Sequence, residues 1–462
     1  MFRRFMRLKR VHFIGIGGAG MSGIAEVLAD YDIEVTGSDL ALGKTTARLE
    51  RAGAKVFEGH DAAHVEGADL VVVSSAVPED NVERLAARRL GVPVVRRAEM
   101  LGELMRLKYG IAVAGTHGKT TTTSMVGAIL TDAGLDPTVI VGGRLRVSGT
   151  GARLGRSEYL VAEADEYDRS FLRLQPIIAV ITSIDRDHLD TYGDLEGIER
   201  AFLSFADKVP FFGQLIVCLD DENVQRILPA LADHRVVTYG SSPQAELRAV
   251  DVEPTAAGSR FGVVHGGRGE LGTLEVPMPG RHNAHNALAA AAVGLGLGLE
   301  FPAIAAALGG FGGVHRRFER LGAWRGAHVV DDYAHHPTEV AATLAAAREA
   351  YPQAVIHAVF QPHLFSRTRD LHREFGSALL AADEAWVTEI YASRERPLAG
   401  VTAELVVEAA RRSGHRHCRL CADWRELPAR LAPAVGPGDL ILTLGAGDIY
   451  RLAEQLAAEE AA

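Results

Sequence analysis

The sequence predicts a three-domain α/β protein built on parallel sheets. The chain has 462 residues, a length that corresponds to about three domains of ordinary size. Apolar, β-rich runs alternate with alanine-rich helical segments along nearly all of it, and this alternation favours parallel strands joined by crossover helices. Breaks in the pattern place the domains at residues 1–108, 109–314 and 315–462.

Composition and charge exclude several classes of protein. The hydrophobic fraction is 47% and the charged fraction 23%, as in soluble globular proteins. The net charge of −10 argues against a nucleic-acid surface. Apolar runs do not reach the roughly 18 residues that a membrane crossing needs, and the basic start "MFRRFMRLKR" lacks the apolar centre of a secretory signal. Since the chain has only three cysteines, we expect a reducing, cytoplasmic location.

The first block carries a glycine-rich loop between a strand and a helix. In "VHFIGIGGAGMSGIAEVL" the glycines are Gly15, Gly17, Gly18 and Gly20, and Asp39 ends the next strand. This is the fingerprint of a Rossmann-like domain, in which the backbone closely approaches a diphosphate at a helix N-terminus. We therefore predict a nucleoside diphosphate site, with Asp39 as a ribose or base partner. A turn without ligand, in which Asp39 only ends the strand, is the alternative.

A second glycine loop opens the middle block. In "IAVAGTHGKTTTTSM" an apolar strand leads into a segment shorter than the usual phosphate-binding loop, yet its glycines allow N–H groups to point at phosphate oxygens. Lys119 offers a cation to the β- and γ-phosphates, and Thr120 offers a hydroxyl to Mg²⁺. The first loop has neither group, so we predict a P-loop-type, ATP-binding central domain. The predicted loop comprises Gly115, Thr116, His117, Gly118, Lys119, Thr120 and Thr121.

Acidic residues follow two further strands of the middle block. "VAEADEYD" contains Glu163, Asp165 and Glu166, and acids at a strand end beside a phosphate loop are candidate ligands of Mg²⁺. In "DRDHLD" the preference of Mg²⁺ for oxygen ligands favours Asp187 or Asp190. A solvated strand end is the alternative for the first group.

Other polar segments suit nucleotide or carboxylate contacts. "GRHNAHNALAA" places Asn283 and Asn286 on one face of a helix start, where they can cap the helix or bond adenine. In "GVHRRFE" the residues Arg316 and Arg317 can reach a phosphate, the alternative being a solvated basic pair. In "SRTRD" the fork of Arg367 suits a carboxylate or an acyl phosphate.

Two segments give weaker signals. "HRHCRLC" contains His415, His417, Cys418 and Cys421, but one C-x-x-C without a second pair supports zinc only weakly, and we expect a surface turn that enters a strand. Residues 241–275 contain glycine-rich, strand-like pieces that suggest an antiparallel flap on the middle block.

Taken together, these segments resemble the Mur ligase family. The resemblance extends over all three blocks and implies an ATP-dependent amide-bond ligase of peptidoglycan precursor synthesis, which activates a carboxylate as an acyl phosphate. The motif "GIGGAGMSG" favours the branch that joins L-alanine to UDP-N-acetylmuramate, so the first loop would hold UDP and the second ATP. The stretches that carry the resemblance are "HFIGIGGAGMSGIAEVL", "GTHGKTTT", "AEADEYDRSF", "DRDHLDTYGD", "PGRHNAHNALAA", "GVHRRFE", "DDYAHHPTEV", "FQPHLFSRTRD" and "GAGDI".

The resemblance also implies roles for single residues. It implies that Thr120, Glu163 and His188 hold Mg²⁺, although the chemistry of Mg²⁺ alone would not select a histidine. The further ATP contacts that it implies are at Asn286, Arg317 and Asp332, with ribose hydroxyls donating to Asp332. The implied catalytic residues are Lys119, Glu163, His188, His335 and Arg367.

The implied amino-acid pocket contains Tyr333, His335 and Arg367. His335 would help to remove a proton from the attacking amine. Leu364 stands where several relatives carry a second arginine, so Arg367 would supply more of the carboxylate binding. Tyr167 also replaces a residue that is commonly smaller in the family.

Several other functions remain as alternatives at this point. Within the family these are the ligases for D-glutamate or a diamino acid and the peptide-recycling ligase. A nicotinamide-dependent oxidoreductase would explain the first loop but not Lys119, Thr120 or Glu163, and a non-catalytic nucleotide switch would not need the motifs of the third block. The expected partners are UDP-N-acetylmuramate, L-alanine and ATP, bound by a monomer or weak homodimer.

Overall fold

A computed structural model describes residues 8–18, 20–74, 76–145, 150–393 and 395–461 of the chain. The strands of these residues form three sheets. Contacts divide the chain into two compact units. One unit comprises Met1–Ala249, Val263–Gly272 and His285–Leu308, and the other comprises Val250–Gly262, Thr273–Ala284 and Gly309–Ala462.

The first sheet has five parallel strands in the order β3-β2-β1-β4-β5. The order reverses direction at β1, which places the loop after β1 at the switch point of a doubly wound fold. The predicted Rossmann-like N-terminal domain is therefore confirmed. Its elements are β1 (Arg10–Ile14), α1 (Met21–Ala29), β2 (Glu34–Asp39), α2 (Lys44–Arg51), β3 (Lys55–Glu58), β4 (Leu70–Val73), α3 (Val82–Leu90), β5 (Val94–Arg96) and α4 (Arg97–Arg106).

The middle sheet begins at β6, and its described elements continue to α10. They are β6 (Tyr109–Ala114), α5 (Lys119–Asp132), β7 (Thr138–Leu145), β8 (Thr150–Arg153), β9 (Tyr159–Glu163), β10 (Ile178–Ile181), α6 (Leu189–Tyr192), α7 (Leu195–Ala206), β11 (Gln214–Cys218), α8 (Glu222–Ile227), β12 (Val236–Gly240), β13 (Leu247–Thr255), β14 (Gly258–His265), β15 (Gly269–Val276), α9 (Arg281–Gly296) and α10 (Phe301–Gly309).

The strand order of this sheet is β15-β14-β13-β12-β11-β10-β6-β9-β7-β8. Strands β12, β11, β10, β6, β9 and β7 are parallel, and β8 runs antiparallel to β7. The strand-like pieces expected within residues 241–275 are β13, β14 and β15, which continue the sheet beyond β12. Strand β13 pairs with β12 in parallel, so the segment continues the middle sheet.

The third sheet has the order β16-β17-β21-β18-β19-β20. Only β16 is antiparallel to its neighbour among these strands, which agrees with the predicted Rossmann-like C-terminal domain. Its elements are β16 (Glu319–Trp324), β17 (Ala327–Asp332), α11 (Pro337–Ala350), β18 (Ile356–Phe360), α12 (Phe365–Ala378), β19 (Glu384–Val387), α13 (Glu404–Arg412), β20 (Cys418–Leu420), α14 (Leu427–Leu431), β21 (Leu440–Leu444) and α15 (Tyr450–Ala461).

The central strands of the third sheet are apolar because both of its faces are covered. In β18, Ala358 and Phe360 belong to one core and Val359 to another, as expected when successive side chains alternate between faces. Cys418 lies in the first of these cores and Cys421 in the second. The two thiols therefore face opposite sides of the sheet, and the C-x-x-C segment is the predicted turn into a strand.

None of the helices within the described residues combines the length and the apolar character that a membrane crossing requires.

Candidate functional site

Three loops of the middle sheet meet at one edge. Strand β6 lies between β10 and β9, and all three are parallel. The loops that follow them, residues 115–118, 182–188 and 164–169, therefore lie at the carboxyl ends of adjacent strands. Strand order changes direction at β6, which is where doubly wound sheets bind ligands.

The second glycine loop is shaped by two residues that must be glycine. Gly115 has φ +132° and Gly118 has φ +82°, values that side chains rarely adopt. A Cβ at Gly115 would lie 2.0 Å from Thr182 Oγ1, and one at Gly118 would lie 2.4 Å from Asn286 Oδ1. The loop is thus packed against the end of β10 on one side and against α9 on the other.

Lys119 is held in place by an acidic residue and by its own loop. Its Nζ donates to the carbonyl oxygens of Gly115 at 2.7 Å and Thr116 at 3.1 Å, and it lies 2.9 Å from Glu166 Oε2. Burial acts to lower the pKa of Lys119, but Glu166, Asp165 and Glu163 raise it above its ordinary value. Lysine is therefore a fixed cation at this edge.

Glu166 is the partner that the sequence did not identify. Its side chain is buried, and burial raises its pKa above the ordinary range although Lys119 opposes the rise. The sequence placed Glu166 only among candidate metal ligands. The pairing could have been predicted from the residue types, because a single lysine lies beside a strand end that carries three acidic residues.

Thr120 and Glu163 come together as the sequence predicted. Thr120 Oγ1 donates to Glu163 Oε2 at 2.9 Å, and the same carboxylate oxygen accepts the N–H of Gly142 at 2.8 Å. A hydroxyl and a carboxylate therefore lie side by side, one residue after Lys119 along α5. Both are oxygen donors of the kind that Mg²⁺ prefers.

His188 lies in the connection between β10 and α6. Its φ of +54° is unusual for a residue with a side chain. Its ring meets the ring of Tyr167 edge-on at 5.0 Å, and its Nε2 lies 3.6 Å from Asp187 Oδ2. Tyr167 thus packs against the predicted metal ligand. The side chain of Asp190, the alternative ligand, lies outside the described residues.

Two further contacts at this edge were not predicted. His117 Nε2 lies 3.0 Å from Asp185 Oδ2, and the Asp185 N–H donates to Thr116 Oγ1 at 2.9 Å. Asp185 therefore ties the loop after β10 to the second glycine loop. Its position within the motif "DRDHLD" was the available signal.

Helix α9 contributes Asn286 to the loop. Asn286 Oδ1 accepts a hydrogen bond from Thr122 Oγ1 at 3.2 Å. Asn283 instead donates to the carbonyl of Pro279 at 2.8 Å, a contact within its own helix start. Of the two asparagines, Asn286 is thus the one beside the predicted nucleotide loop.

Asp220 and His285 form a second polar group near the end of β11. His285 Nε2 lies 3.2 Å from Asp220 Oδ2, and the N–H groups of Ser241 and Ser242 donate to the same carboxylate. Burial acts to raise the pKa of Asp220, but these hydrogen bonds lower it to about 2. The pair fixes the position of α9 relative to β12.

The first glycine loop has its own set of contacts. Gly15 and Gly20 have φ of +80° and +73°. The N–H of Gly17 donates to Asp39 Oδ2 at 2.8 Å, so the predicted ribose or base partner also fixes the loop. A Cβ at Gly20 would lie 2.9 Å from the guanidinium of Arg97.

A polar cavity of about 1000 Å³ includes Arg97, whose guanidinium approaches Gly20, in its lining. It is formed by segments that are far apart in sequence, and its lining is rich in cations, as an anionic ligand requires. This cavity was not predicted from the sequence. Its basic residues are Arg84, Arg88, Arg96, Arg97, Arg169, Arg173 and Lys208, and its acidic residues are Glu79, Glu99 and Asp168.

In the third domain, one arginine of the predicted pair has a structural role. Arg316 is buried, its Nε donates to Asp331 Oδ2 at 2.8 Å, and its other nitrogens donate to the carbonyls of Gly445 and Gly447. It therefore holds the turn "GAGD" between β21 and α15, and it is not part of a solvated basic pair. Arg317 lies 5.3 Å from the ring centroid of Tyr333.

Asp332 ends β17 and anchors the backbone around it. Its Oδ2 accepts the N–H of Phe318 at 2.7 Å and its Oδ1 accepts that of Ala334 at 2.8 Å. Burial raises the pKa of Asp332 to about 6 although Arg317 and these N–H groups oppose the rise. Both oxygens thus already have backbone donors, and a ribose contact stays a prediction.

The predicted amino-acid pocket lies at the carboxyl edge of the third sheet. The rings of Tyr333 and His335 are 5.2 Å apart, and His335 Nδ1 lies 3.0 Å from the Tyr333 carbonyl oxygen. Leu364 has φ +70° and immediately precedes α12, whose first turn carries the buried Arg367. The loops after β17 and β18 contribute these residues, on either side of β21.

Comparison with known proteins gives matches along the whole chain. Three family models match: the catalytic domain of the Mur ligase family over residues 10–109, the Mur ligase middle domain over 113–294, and the Mur ligase glutamate ligase domain over 316–447.

Relatives of similar length carry one name. The UDP-N-acetylmuramate–L-alanine ligase of Salinibacter ruber is 52% identical over 97% of this chain and 94% of that protein. The ligase of the same name from Desulfosudis oleivorans is 49% identical over 98% of each.

Solved structures are similar over nearly the full length. The UDP-N-acetylmuramate–alanine ligase of Thermotoga maritima gives a TM-score of 0.81 at 30% identity, covering 98% of this chain and 99% of that one. A murein peptide ligase of Psychrobacter arcticus gives a TM-score of 0.67 at 24% identity, covering 97% and 98%. The second likeness concerns the fold alone.

Proposed function

The chain belongs to the Mur ligase family, and from this premise we propose that it joins L-alanine to UDP-N-acetylmuramate by an amide bond. The reaction uses ATP and releases ADP and phosphate. The family is ATP-dependent. The observation that carries the proposal is the group of Lys119, Thr120 and Glu163 at the carboxyl edge of β6 and β9. Identity of 52% over 97% of the chain with a ligase of that name supports the choice of substrates.

The chemistry explains why a cation must lie at this edge. A carboxylate does not react with an amine in water, so ATP first converts it into an acyl phosphate, and the amine then displaces phosphate. The carboxylate and the γ-phosphate are both anions, so their approach requires positive charge between them. Lys119 supplies one such charge, and binding aligns the reacting groups.

The oxygen donors beside Lys119 suit a divalent cation. The oxygens of Thr120 and Glu163 lie 2.9 Å apart, which fits a cation that prefers oxygen ligands. In our proposal these two residues and His188 hold Mg²⁺. When bound, Mg²⁺ would neutralise charge on the phosphate oxygens.

In our proposal Glu166 is the ion-pair partner of Lys119 before ATP binds. The Nζ of Lys119 is bound by the Glu166 carboxylate and two loop carbonyls. Phosphate oxygens would take the place of the carboxylate when the loop closes on ATP. Glu166 thereby holds the lysine in the orientation that the phosphates need.

The third domain would supply the acceptor amino acid. Arg367 would bind the carboxylate of L-alanine, and Tyr333 would line the pocket. The Tyr333 carbonyl lies 3.0 Å from His335 Nδ1, so the proton belongs on Nδ1 and Nε2 is the basic nitrogen. His335 Nε2 would therefore accept the proton that the attacking amine loses.

The first loop and its cavity would bind the UDP-sugar. The loop offers N–H groups to a diphosphate, and the cavity offers seven basic side chains against three acidic ones. Both suit a substrate that carries a diphosphate and a carboxylate. The proposed setting is peptidoglycan precursor synthesis in the cytoplasm, by a monomer or weak homodimer.

Phosphate release tests the proposal. The purified chain is given Mg-ATP and UDP-N-acetylmuramate with L-alanine, glycine, L-serine, D-glutamate or an L-alanyl peptide, and Lys119→Ala serves as the matched control. We expect L-alanine to give the highest kcat/KM and the control to release no phosphate. Preference for the peptide would instead indicate the peptide-recycling reaction. In a thermal-unfolding measurement, a Tm raised by NAD and not by Mg-ATP would indicate a dehydrogenase.

A further inference from the structure

A buried carboxylate in the first domain lies at the centre of three histidines. Glu83 of α3 is fully buried. Its Oε1 lies 2.7 Å from His64 Nδ1 and 3.6 Å from His12 Nε2, and its Oε2 lies 3.0 Å from His60 Nδ1. The nitrogens approach the carboxylate oxygens themselves, so the group is a hydrogen-bonded network and not a set of ligands around a shared centre.

The charge of Glu83 is stabilised by this network. Burial alone acts to raise the pKa of Glu83, but the neighbouring His12 ring and the hydrogen bonds from Ser38 and His64 lower it to about 2. The polar groups around Glu83 are His12 on β1, Thr36 on β2, and His60 and His64 after β3. Lys55 lies over the Phe57 ring, which stacks on His64.

Glu83 is linked to the first glycine loop through one residue. Ser38 Oγ donates to Glu83 Oε2 at 2.6 Å. The carbonyl oxygen of the same Ser38 accepts the N–H groups of Gly15 at 2.8 Å and Ile16 at 3.0 Å. The side chain and the carbonyl of Ser38 therefore connect the carboxylate to the first two amides of the loop, while Glu83 is absent from the lining of the neighbouring cavity.

Burying a charge costs free energy unless hydrogen bonds and neighbouring opposite charges compensate it. Satisfied buried networks make a local structure rigid and unique. A diphosphate site built from backbone N–H groups depends on the placement of those groups to a fraction of an ångström. A rigidly placed Ser38 would hold the N–H groups of the loop in such positions.

We propose that Glu83 is a positioning residue for the first glycine loop, and that it sets the affinity for the diphosphate of the UDP-sugar without touching it. This inference rests on the proposed function of that loop. It goes beyond the resemblance because it assigns a role to a residue outside the ligand site.

Calorimetric titration of the full chain with UDP-N-acetylmuramate tests the inference. Glu83→Gln keeps the shape of the side chain and removes its charge, and we expect its Kd to rise about ten-fold, since hydrogen bonds to charged groups are among the stronger ones. The Kd for an ATP analogue with Mg²⁺, which binds at the second loop, should change by less than about two-fold. In turnover the KM for the UDP-sugar should rise while kcat stays near the unmodified value.

A second pair of variants separates positioning from general stability. Ser38→Ala removes the hydroxyl that donates to Glu83, and Thr36→Val removes a buried hydroxyl two residues earlier on the same strand, which contacts His12 but not Glu83. We expect Ser38→Ala to weaken UDP-sugar binding about five-fold and Thr36→Val by less than two-fold. If Glu83→Gln does not fold, this pair decides the question by itself.

Three results would overturn the inference. Unchanged UDP-sugar affinity in Glu83→Gln and Ser38→Ala would show that the network does not position the loop. Equal weakening of the UDP-sugar and the ATP analogue, or by Thr36→Val and Ser38→Ala, would show a structural role only. Failure of the unmodified chain to bind the UDP-sugar would remove the proposed function itself, and is visible before any variant is made.

Discussion

The pairing of Lys119 with Glu166 predicts an unusual response to ATP. In Glu166→Gln the ammonium of Lys119 loses a carboxylate at 2.9 Å but keeps the carbonyls of Gly115 and Thr116. Removal of one partner from a buried ion pair costs about 3–5 kcal/mol. Since two carbonyls and the nearby Asp165 and Glu163 still face the lysine, we expect a loss at or below the lower limit of that range, about 2–3 kcal/mol.

Thermal unfolding with and without Mg-ATP measures this effect. At about 2–4 °C per kcal/mol for a domain of 150–250 residues, the ligand-free Tm should fall by about 4–12 °C. Phosphate oxygens would supply the missing charge, so Mg-ATP should raise the Tm of Glu166→Gln by more than it raises that of the unmodified chain. Glu196→Gln, which breaks an exposed pair with Arg200, is the control and should change the ligand-free Tm by less than about 3 °C.

The opposite sign would refute this reasoning. If Glu166 were a metal ligand, as the sequence alone allowed, its loss would weaken Mg-ATP binding and reduce the stabilisation. If Mg-ATP raises the Tm of Glu166→Gln by less than it raises that of the unmodified chain, Glu166 is a metal ligand.

Three other predictions concern single residues. Lys119→Ala should abolish phosphate release yet retain UDP-N-acetylmuramate binding in a calorimetric titration, and near-normal turnover would contradict the assignment of the two loops. Arg367→Ala should raise the KM for L-alanine roughly 30-fold, about 2 kcal/mol, with little change for ATP, and the reverse pattern in steady-state kinetics would move Arg367 to the phosphate site. Because the pKa of Glu83 is lowered to about 2, its contribution to stability is present above its ordinary pKa of about 4.5 and lost as the pH falls from there towards 2. Denaturant unfolding of Glu83→Gln should therefore depend less on pH over that range, and equal slopes for both proteins would contradict it.

The sequence predicted the parts of the fold that depend on local chemistry. Alternating apolar and helical segments gave three α/β domains, and the family resemblance is confirmed by models that match all three. Gly115 and Gly118 were predictable because their positive φ leaves glycine as the unstrained choice. The proximity of Thr120 and Glu163 followed from their positions at the ends of parallel strands.

The contacts that could not be predicted from the sequence join residues that are far apart in the chain. Lys119 and Glu166 are separated by 47 positions, and nothing local distinguishes Glu166 from Asp165. Arg316 donates to the carbonyl of Gly445, 129 positions away, because the strand ladder of β17 with β21 brings that turn to it. The cations of the cavity come from α3, β5, α4, the segment after β9 and the segment after α7, so their grouping exists only in the folded chain.

The two glycine loops show how one local structure serves two functions. Each follows a central parallel strand at a switch point, and each opens a helix. In the first, the acid at the end of the adjacent strand, Asp39, accepts the N–H of Gly17, and so it fixes the loop backbone itself. In the second, the acid at the end of the adjacent strand, Glu163, accepts the hydroxyl of Thr120 next to Lys119.

The difference lies in the residue types and not in the fold. The first arrangement provides a rigid set of N–H donors, which suits a diphosphate that is bound but does not react. The second adds a hydroxyl, a carboxylate and an ammonium, which suit a phosphate that is transferred with its cation. Function therefore follows from the few side chains that each strand end presents, since the surrounding architecture is the same. A chain with Lys119 exchanged for a residue such as alanine would keep two binding loops and lose the reaction, which is why that substitution separates the roles of the loops.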